Sequence, residues 1–161
     1  MTATDEFISG LEGLKRGDLG RLRQHAGLPL DSSVDAFDLF AGLWWPLRRQ
    51  SQRAPRREVA WLVAKLYAFC PIRQQGDATI ASSLGKIEPA DQRVQQKFDE
   101  LLTRDLRGAE PLLQWALALT RKNSGCVDWV QLTDDLSAWE GGKIRRKWAQ
   151  EFLQSRKGFL C

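Results

Sequence analysis

The stretch Val127 to Trp139, VDWVQLTDDLSAW, decides how the rest of the chain reads. Its large apolar residues, Trp129, Leu132, Leu136 and Trp139, recur at spacings of three, four and three, the interval that returns a side chain to one side of an α-helix. Asp128 stands just ahead of them, where a carboxylate accepts a backbone N–H of the first turn and caps the helix. Gly141-Gly142 then breaks it. A helix with one apolar stripe needs partners, so the flanking sequence is searched for stripes of the same period.

Toward the C-terminus, Ile144, Trp148 and Phe152 lie four residues apart, with Lys143, Arg145, Arg146 and Lys147 around the first turns. In the other direction, Pro111 suits the first turn of a helix through Leu113, Ala116, Leu117 and Thr120, ended by Asn123-Ser124-Gly125. Asp91 caps a helix that buries Val94, Phe98, Leu101 and Leu102 and turns Arg93, Lys97 and Arg104 to a different face. The polar run from Gly76 to Gly85 reads as a loop with room for one helical turn, and it separates two bundles. Before it, Pro55 opens a helix with Val59, Leu62, Val63, Leu66 and Tyr67 on one face, and Pro71 closes it. Earlier stripes are Phe7, Leu11 and Leu14, then Leu19 and Leu22, then Val34, Phe37, Phe40 and Trp44, the last stopped by Pro46. No internal repeat and no run of strand alternation occurs. The fold class expected is all-α: two small helical bundles packed together, residues 1–78 and 79–161.

Composition agrees with a folded domain of this size. The 161 residues are 43% hydrophobic and 27% charged, without the charge excess of a disordered chain. The net charge of +4 is unevenly spread: residues 1–40 hold four basic and seven acidic groups, 41–86 eight and two, and 87–161 twelve and eleven. Basic charge therefore concentrates around Arg48, Arg49, Arg53, Arg56, Arg57, Lys65, Arg73 and Lys86, the footprint expected of phosphate-backbone binding or of a solvated surface. Cys70, Cys126 and Cys161 are odd in number and widely spaced, which suits a reducing compartment rather than a disulfide framework. The acidic start MTATDEF leads into no apolar segment and no eighteen apolar residues run together, so a cytoplasmic protein without a membrane span is expected.

Catalytic chemistry finds little to work with. His25 is the sole histidine and has no nucleophile motif beside it. A zinc site would need all four Cys and His residues, which are scattered at 25, 70, 126 and 161. Ser83-Leu84-Gly85-Lys86 resembles the end of a phosphate-binding loop, but Ile80 and Ile87 occupy the places of its first glycine and its hydroxyl residue. Asp134-Asp135 are consecutive on a helix, point about 100° apart, and read as a solvated face with one ion pair. Of the seven tryptophans, Trp61, Trp129, Trp139 and Trp148 fall on apolar faces and read as core. Trp44 and Trp45 cannot both face the same core, which assigns one of them to an interface. No catalytic residue, metal, cofactor or small-molecule substrate is expected.

Taken in order, several landmarks resemble the CasB family, the small subunit of the type I-E CRISPR complex Cascade. They are Leu22-Arg23, the apolar helix around Val59 to Phe69, and Ser83-Leu84-Gly85-Lys86, where the family typically has Ser-Leu-Gly-Arg. Then follow Arg93, Lys97-Phe98, Leu101-Leu102, Asp105, Val127-Asp128-Trp129, Leu132, Asp135-Leu136, Trp139 and Trp148-Ala149. The resemblance covers roughly residues 20 to 153. It departs at Leu113-Gln114, where the family often has Leu-Arg, and at Lys86 and Lys97, where arginine is common; lysine keeps the charge but loses the planar fork that grips a phosphate at two points.

The resemblance implies a non-enzymatic two-bundle subunit, paired with a second copy of itself beside the large subunit, the backbone subunits, the guide RNA and the target DNA. In such antiviral complexes base pairing reads sequence, while protein contacts hold the target and displaced strands of the R-loop by their backbones. The residues expected to make those contacts are Arg23, Arg48, Arg49, Lys86, Arg93, Lys97, Arg121, Lys122, Arg145 and Arg146. The alternative is a structural adaptor that binds protein partners without touching nucleic acid.

Overall fold

Nearly every side chain of the helix Arg57–Phe69 between Val59 and Ala68 is buried, so this element is enclosed on all sides and the rest of its bundle forms around it. The computed structural model describes residues 2–30, 34–88 and 91–160. It divides into two units, Met1–Pro71 and Ile72–Cys161.

In the first unit, α1 (Ala3–Glu12) is capped by Thr2 and Asp5, whose side chains each bond the other's backbone N–H, and it buries Phe7, Ile8 and Leu11. Short α2 (Arg16–Arg23) buries Leu22, and α3 (Val34–Gln50) and α4 (Arg57–Phe69) complete the bundle. Helix α1 packs on α3, while α2 packs on both α3 and α4. An aromatic ladder joins α3 to α4: Phe40 stacks on Trp44 with ring centres 5.7 Å apart and meets Trp61 edge-on at 5.4 Å. The Leu28 carbonyl accepts from both Trp61 Nε1, at 2.9 Å, and Lys65 Nζ, at 2.8 Å.

Four expectations need correction in this unit. Pro46 does not stop α3, which continues to Gln50. The proline removes one internal N–H bond, but Trp44 Nε1 on the Pro55 carbonyl and Arg48 Nη1 on the Gln52 and Ala54 carbonyls hold the last turns to the following loop. Phe37 is 46% exposed; Ala36 and Phe40 face inward instead. Lys65, counted above with the basic surface, is buried with its ammonium 5.3 Å from the Trp61 ring centre. Pro55 precedes the N-cap residue Arg56 rather than lying in the first turn.

The second unit begins with β1 (Arg73–Gln74), which pairs in parallel with β2 (Cys126–Val127), Arg73 opposite Cys126 and Gln74 opposite Val127. Two residues per strand are too few to show an alternating pattern, which is why the sequence carries no strand signal. The pairing also explains why the division falls ahead of the expected one between residues 78 and 79. Trp129 Nε1 donates to the Ile72 carbonyl at 2.8 Å, and Gln75 N to the Val127 carbonyl at 3.0 Å, binding residues 72–78 to the second unit.

Between the strands come α5 (Ile80–Gly85), capped by Thr79, α6 (Gln92–Thr103), capped by Asp91, and α7 (Glu110–Asn123), with proline in its first turn. After β2 follow α8 (Trp129–Ser137), a 3-10 turn (Trp139–Gly141) and α9 (Lys143–Leu160). Asp128 caps α8 through Gln131 N as expected, and its other carboxylate oxygen accepts Asp77 N. Trp129, Leu132, Leu136 and Trp139 are all buried, although α8 ends at Ser137 and Trp139 opens the 3-10 turn. Gly142, at φ +76°, supplies the left-handed residue between that turn and α9. Leu102 and Ile144 are half-buried. Cys70 and Cys126 are buried and not joined in a disulfide among the described residues, and Cys161 lies outside them.

Helix α5 packs on α9 and α7. At Gly85 the approach is so close that a Cβ would lie 2.5 Å from the Phe152 carbonyl oxygen and 2.9 Å from Ser155 Cβ. Phe152 in turn stacks on Phe98 of α6, ring centres 4.6 Å apart.

Candidate functional site

The ten basic residues singled out above separate into two kinds once their contacts are known. Three are spent on their own unit. Arg23, at the end of α2, donates Nε to the Ala68 carbonyl in the last turn of α4, at 3.0 Å, where a cation meets the partial negative charge of a helix end. Arg48 clips the loop after α3. Arg145 lies 3.6 Å from Glu140 and 5.3 Å from the Trp139 ring centre, with only 24% of its side chain exposed.

The other seven, Arg49, Lys86, Arg93, Lys97, Arg121, Lys122 and Arg146, are exposed, and none of them is ion-paired among the described residues. Arg93 and Lys97 lie one turn apart on α6, away from the buried face of Val94, Phe98 and Leu101. Lys97 rests its ammonium 5.4 Å from the ring centre of Trp115 on α7, which steadies the side chain while leaving the charge in solvent. Arg121 and Lys122 occupy the last turn of α7.

Lys86 follows α5 on the rim of a cleft of about 450 Å³, lined by Gln75, Ser82, Ser83, Asn123 and Ser124 among others. The α7 turn that carries Arg121 and Lys122 thus reaches the same cleft through Asn123 and Ser124. On its other side Lys86 borders a second cleft with Asp77, Gln154 and Glu151, and the Glu151 Oε2 atom is buried without a hydrogen-bond partner. Asp77, like Lys86, borders both clefts, and Glu151 belongs to the second alone. Leu84 and Gly85 are buried, so the part of the motif that resembles a phosphate loop is packing that positions Lys86. Among the described residues no group of three or more Cys, His, Asp or Glu could hold a metal ion. Likewise, among them no helix is long and apolar enough to cross a membrane.

Comparison with known proteins places this arrangement. The sequence model of the CRISPR-associated protein Cse2 family matches residues 18–153. The chain belongs to the Cse2 family, also called CasB. It is 31% identical over 108 residues to the CRISPR-associated protein Cse2 of Thermus thermophilus; the match spans 66% of this chain and 62% of that relative's length. Among solved structures, CasB from Thermus thermophilus superposes with a TM-score of 0.75 at 26% identity, covering 96% of this chain and 99% of that one. A chain of a CRISPR RNA-guided surveillance complex superposes with a TM-score of 0.73 at 17% identity, covering 98% and 95%, a likeness of fold.

Sequence reasoning missed one residue of consequence. Asp135, read above as part of a solvated face, is buried and accepts from Gln131 Nε2 at 2.8 Å, Lys147 Nζ at 2.9 Å and Trp148 Nε1 at 2.8 Å. Its position four residues after Gln131 was a signal for one of these contacts; those from α9 depend on the fold. The family landmarks Asp135 and Trp148 are therefore hydrogen-bonded to each other, and Cse2-type spacing here encodes a core rather than a binding surface. Trp44 and Trp45 divide as expected of a pair that cannot share one core: Trp44 is anchored on Phe40 and Pro55, and Trp45 is 53% exposed.

Proposed function

We propose that this protein is the non-catalytic small subunit of a type I-E CRISPR surveillance complex, where it holds nucleic-acid backbone without reading sequence and stabilises the R-loop in antiviral defence. The observation that carries the reading is the set of exposed cations left without carboxylate partners, above all Arg93 and Lys97 one turn apart on α6. Helical geometry sets two such side chains about 5–6 Å apart at Cβ, close to the separation of successive phosphates on an extended strand. Lys86, with Arg121 and Lys122 at the end of the neighbouring α7, extends the basic surface within the same unit.

Membership of the Cse2 family and the likeness to a chain of an RNA-guided surveillance complex support the setting. The partners are then the large and backbone subunits, a second copy of this chain, guide RNA and target DNA, in the cytoplasm. Backbone contacts alone give weak, sequence-independent binding that falls steeply with salt.

The test replaces Arg93 and Lys97 by alanine together and measures target-DNA affinity of the reconstituted complex at several salt concentrations. The double variant should fold and assemble normally, bind more weakly, and flatten the salt dependence by up to two charges' worth. Unchanged affinity and slope in a folded, assembled complex would favour the adaptor reading, in which these groups are solvated surface.

A further inference from the structure

We infer that Trp45 is a stacking platform for an unpaired base, so that the first unit engages single-stranded rather than duplex nucleic acid. The inference rests on the reading of nucleic-acid binding given above and extends it to a contact that does not depend on charge.

Trp45 lies on α3 with 53% of its surface exposed, the most exposed large apolar side chain among the described residues. A bulky indole in water is unfavourable, and the protein fixes it there. Its neighbour Trp44 is locked by stacking on Phe40 and by its N–H on the Pro55 carbonyl, and the Trp45 ring leans against it, centres 5.9 Å apart and tilted by 50°. The ring is thus backed by the core and presents its remaining surface outward.

The surroundings say what it is presented to. Arg48 and Arg49 follow Trp45 at three and four residues, the intervals that make helical side chains neighbours. The Arg48 guanidinium is held on the loop carbonyls, whereas the Arg49 side chain makes no hydrogen bond or ion pair among the described residues. No carboxylate occurs between Asp38 and Glu58, while Arg48, Arg49, Arg53, Arg56 and Arg57 all do. Arg56 is paired with Glu58 at 3.7 Å and Arg48 is held by the loop, which leaves Arg49 as the exposed cation one turn from the ring on α3. A ring beside such a cation is complementary to a polyanion that also offers flat apolar faces. Single-stranded nucleic acid has that composition: phosphates for Arg49 and unstacked bases for Trp45. A duplex keeps its bases stacked and offers only the phosphates.

The experiment uses the full chain with a fluorescein-labelled dT oligomer and a duplex of equal length, followed by anisotropy across a salt series. Expected is tighter binding of the oligomer than of the duplex. Trp45→Ala should weaken oligomer binding about tenfold, within the range measured for loss of one base–aromatic stack, with the salt slope and duplex affinity unchanged. Trp45→Phe should recover much of the loss, and Arg49→Ala should instead lower the slope by about 0.7, one single-strand phosphate. Salt-dependent oligomer binding that is the same in wild type and folded Trp45→Ala overturns the stacking role alone. A fall in self-association in that variant, with oligomer binding unchanged, overturns it too and assigns the ring to a protein contact. Absence of any salt-dependent binding by the wild type overturns the nucleic-acid reading itself.

Discussion

Removing the Asp135 carboxylate tests whether the C-terminal unit is organised as described. In Asp135→Ala, the buried Trp148 Nε1–H loses its acceptor, and an orphaned buried donor costs about 1–3 kcal/mol. Lys147 also loses its partner, but 38% of its side chain is exposed, so the ammonium turns to water and the loss is at most about 1 kcal/mol. The half-buried Gln131 amide is rehydrated at little cost. Together these give about 1–4 kcal/mol, or a melting temperature lowered by about 2–16 °C in a chain of this length. Asp135→Asn keeps one carbonyl oxygen for the indole and should cost about 1–2 kcal/mol, while Lys147→Ala should cost least. Urea denaturation followed by circular dichroism provides the values, and the order of the three variants is as informative as their size. A loss under about 0.5 kcal/mol for Asp135→Ala, or a Lys147→Ala variant that is the worst of the set, would refute the role of this carboxylate as the acceptor that joins α8 to α9.

Trp139→Ala should cost about 3–5 kcal/mol by the same assay, since the ring is fully buried, meets Trp148 edge-on at 5.1 Å and donates Nε1 to the Arg104 carbonyl; an unchanged melting temperature would show that it is not core. Gly85→Ala must push apart α5 and α9, for a loss of about 1–3 kcal/mol in urea melts. Thr2→Ala should destabilise by about 1 kcal/mol at neutral pH through loss of the α1 cap. The hydrogen bonds from the Thr2 side chain and then its backbone N–H hold the Asp5 carboxyl below its usual range. A group depressed in the folded state stabilises above its unfolded pKa, so the difference between wild type and Thr2→Ala should shrink as pH falls below about 4.

Helical stripes and their caps were legible in the sequence because both are local. The spacing of Trp129, Leu132, Leu136 and Trp139 and the capping of α6 and α8 by Asp91 and Asp128 depend on residues within a turn or two, and the structure has them as expected. What was not legible depends on partners far along the chain. Pro46 inside α3 is tolerated because the loop at Gln52 to Pro55 bonds back to Arg48 and Trp44. Lys65 is buried because the Leu28 carbonyl, 37 positions away, receives its ammonium. Asp135 looked like a surface carboxylate because Lys147 and Trp148 come from the next helix. The basic surface follows the same logic: the sequence shows where arginines and lysines are, but only the fold separates Arg49, Arg93 and Lys97 from Arg23, Arg48 and Arg145, whose charges are already engaged.

The two-residue ladder between β1 and β2 also bears on how the C-terminal unit folds. Gln74 reaches the Asp128 carboxylate across 54 positions and lends its own side-chain oxygen to Trp129 N, so the cap of α8 is built partly from the far side of three intervening helices. Closing so long a loop has an entropic cost that local helices avoid, and chains dominated by such contacts fold more slowly. Helices α6 and α7 are successive in the chain and pack on each other, whereas the full N-terminal cap of α8 requires residues 72–78 to be docked against it. A chain begun at residue 79 would keep the sequence of every helix of the unit while losing the strand and the Gln74 side chain that hold the first turn of α8.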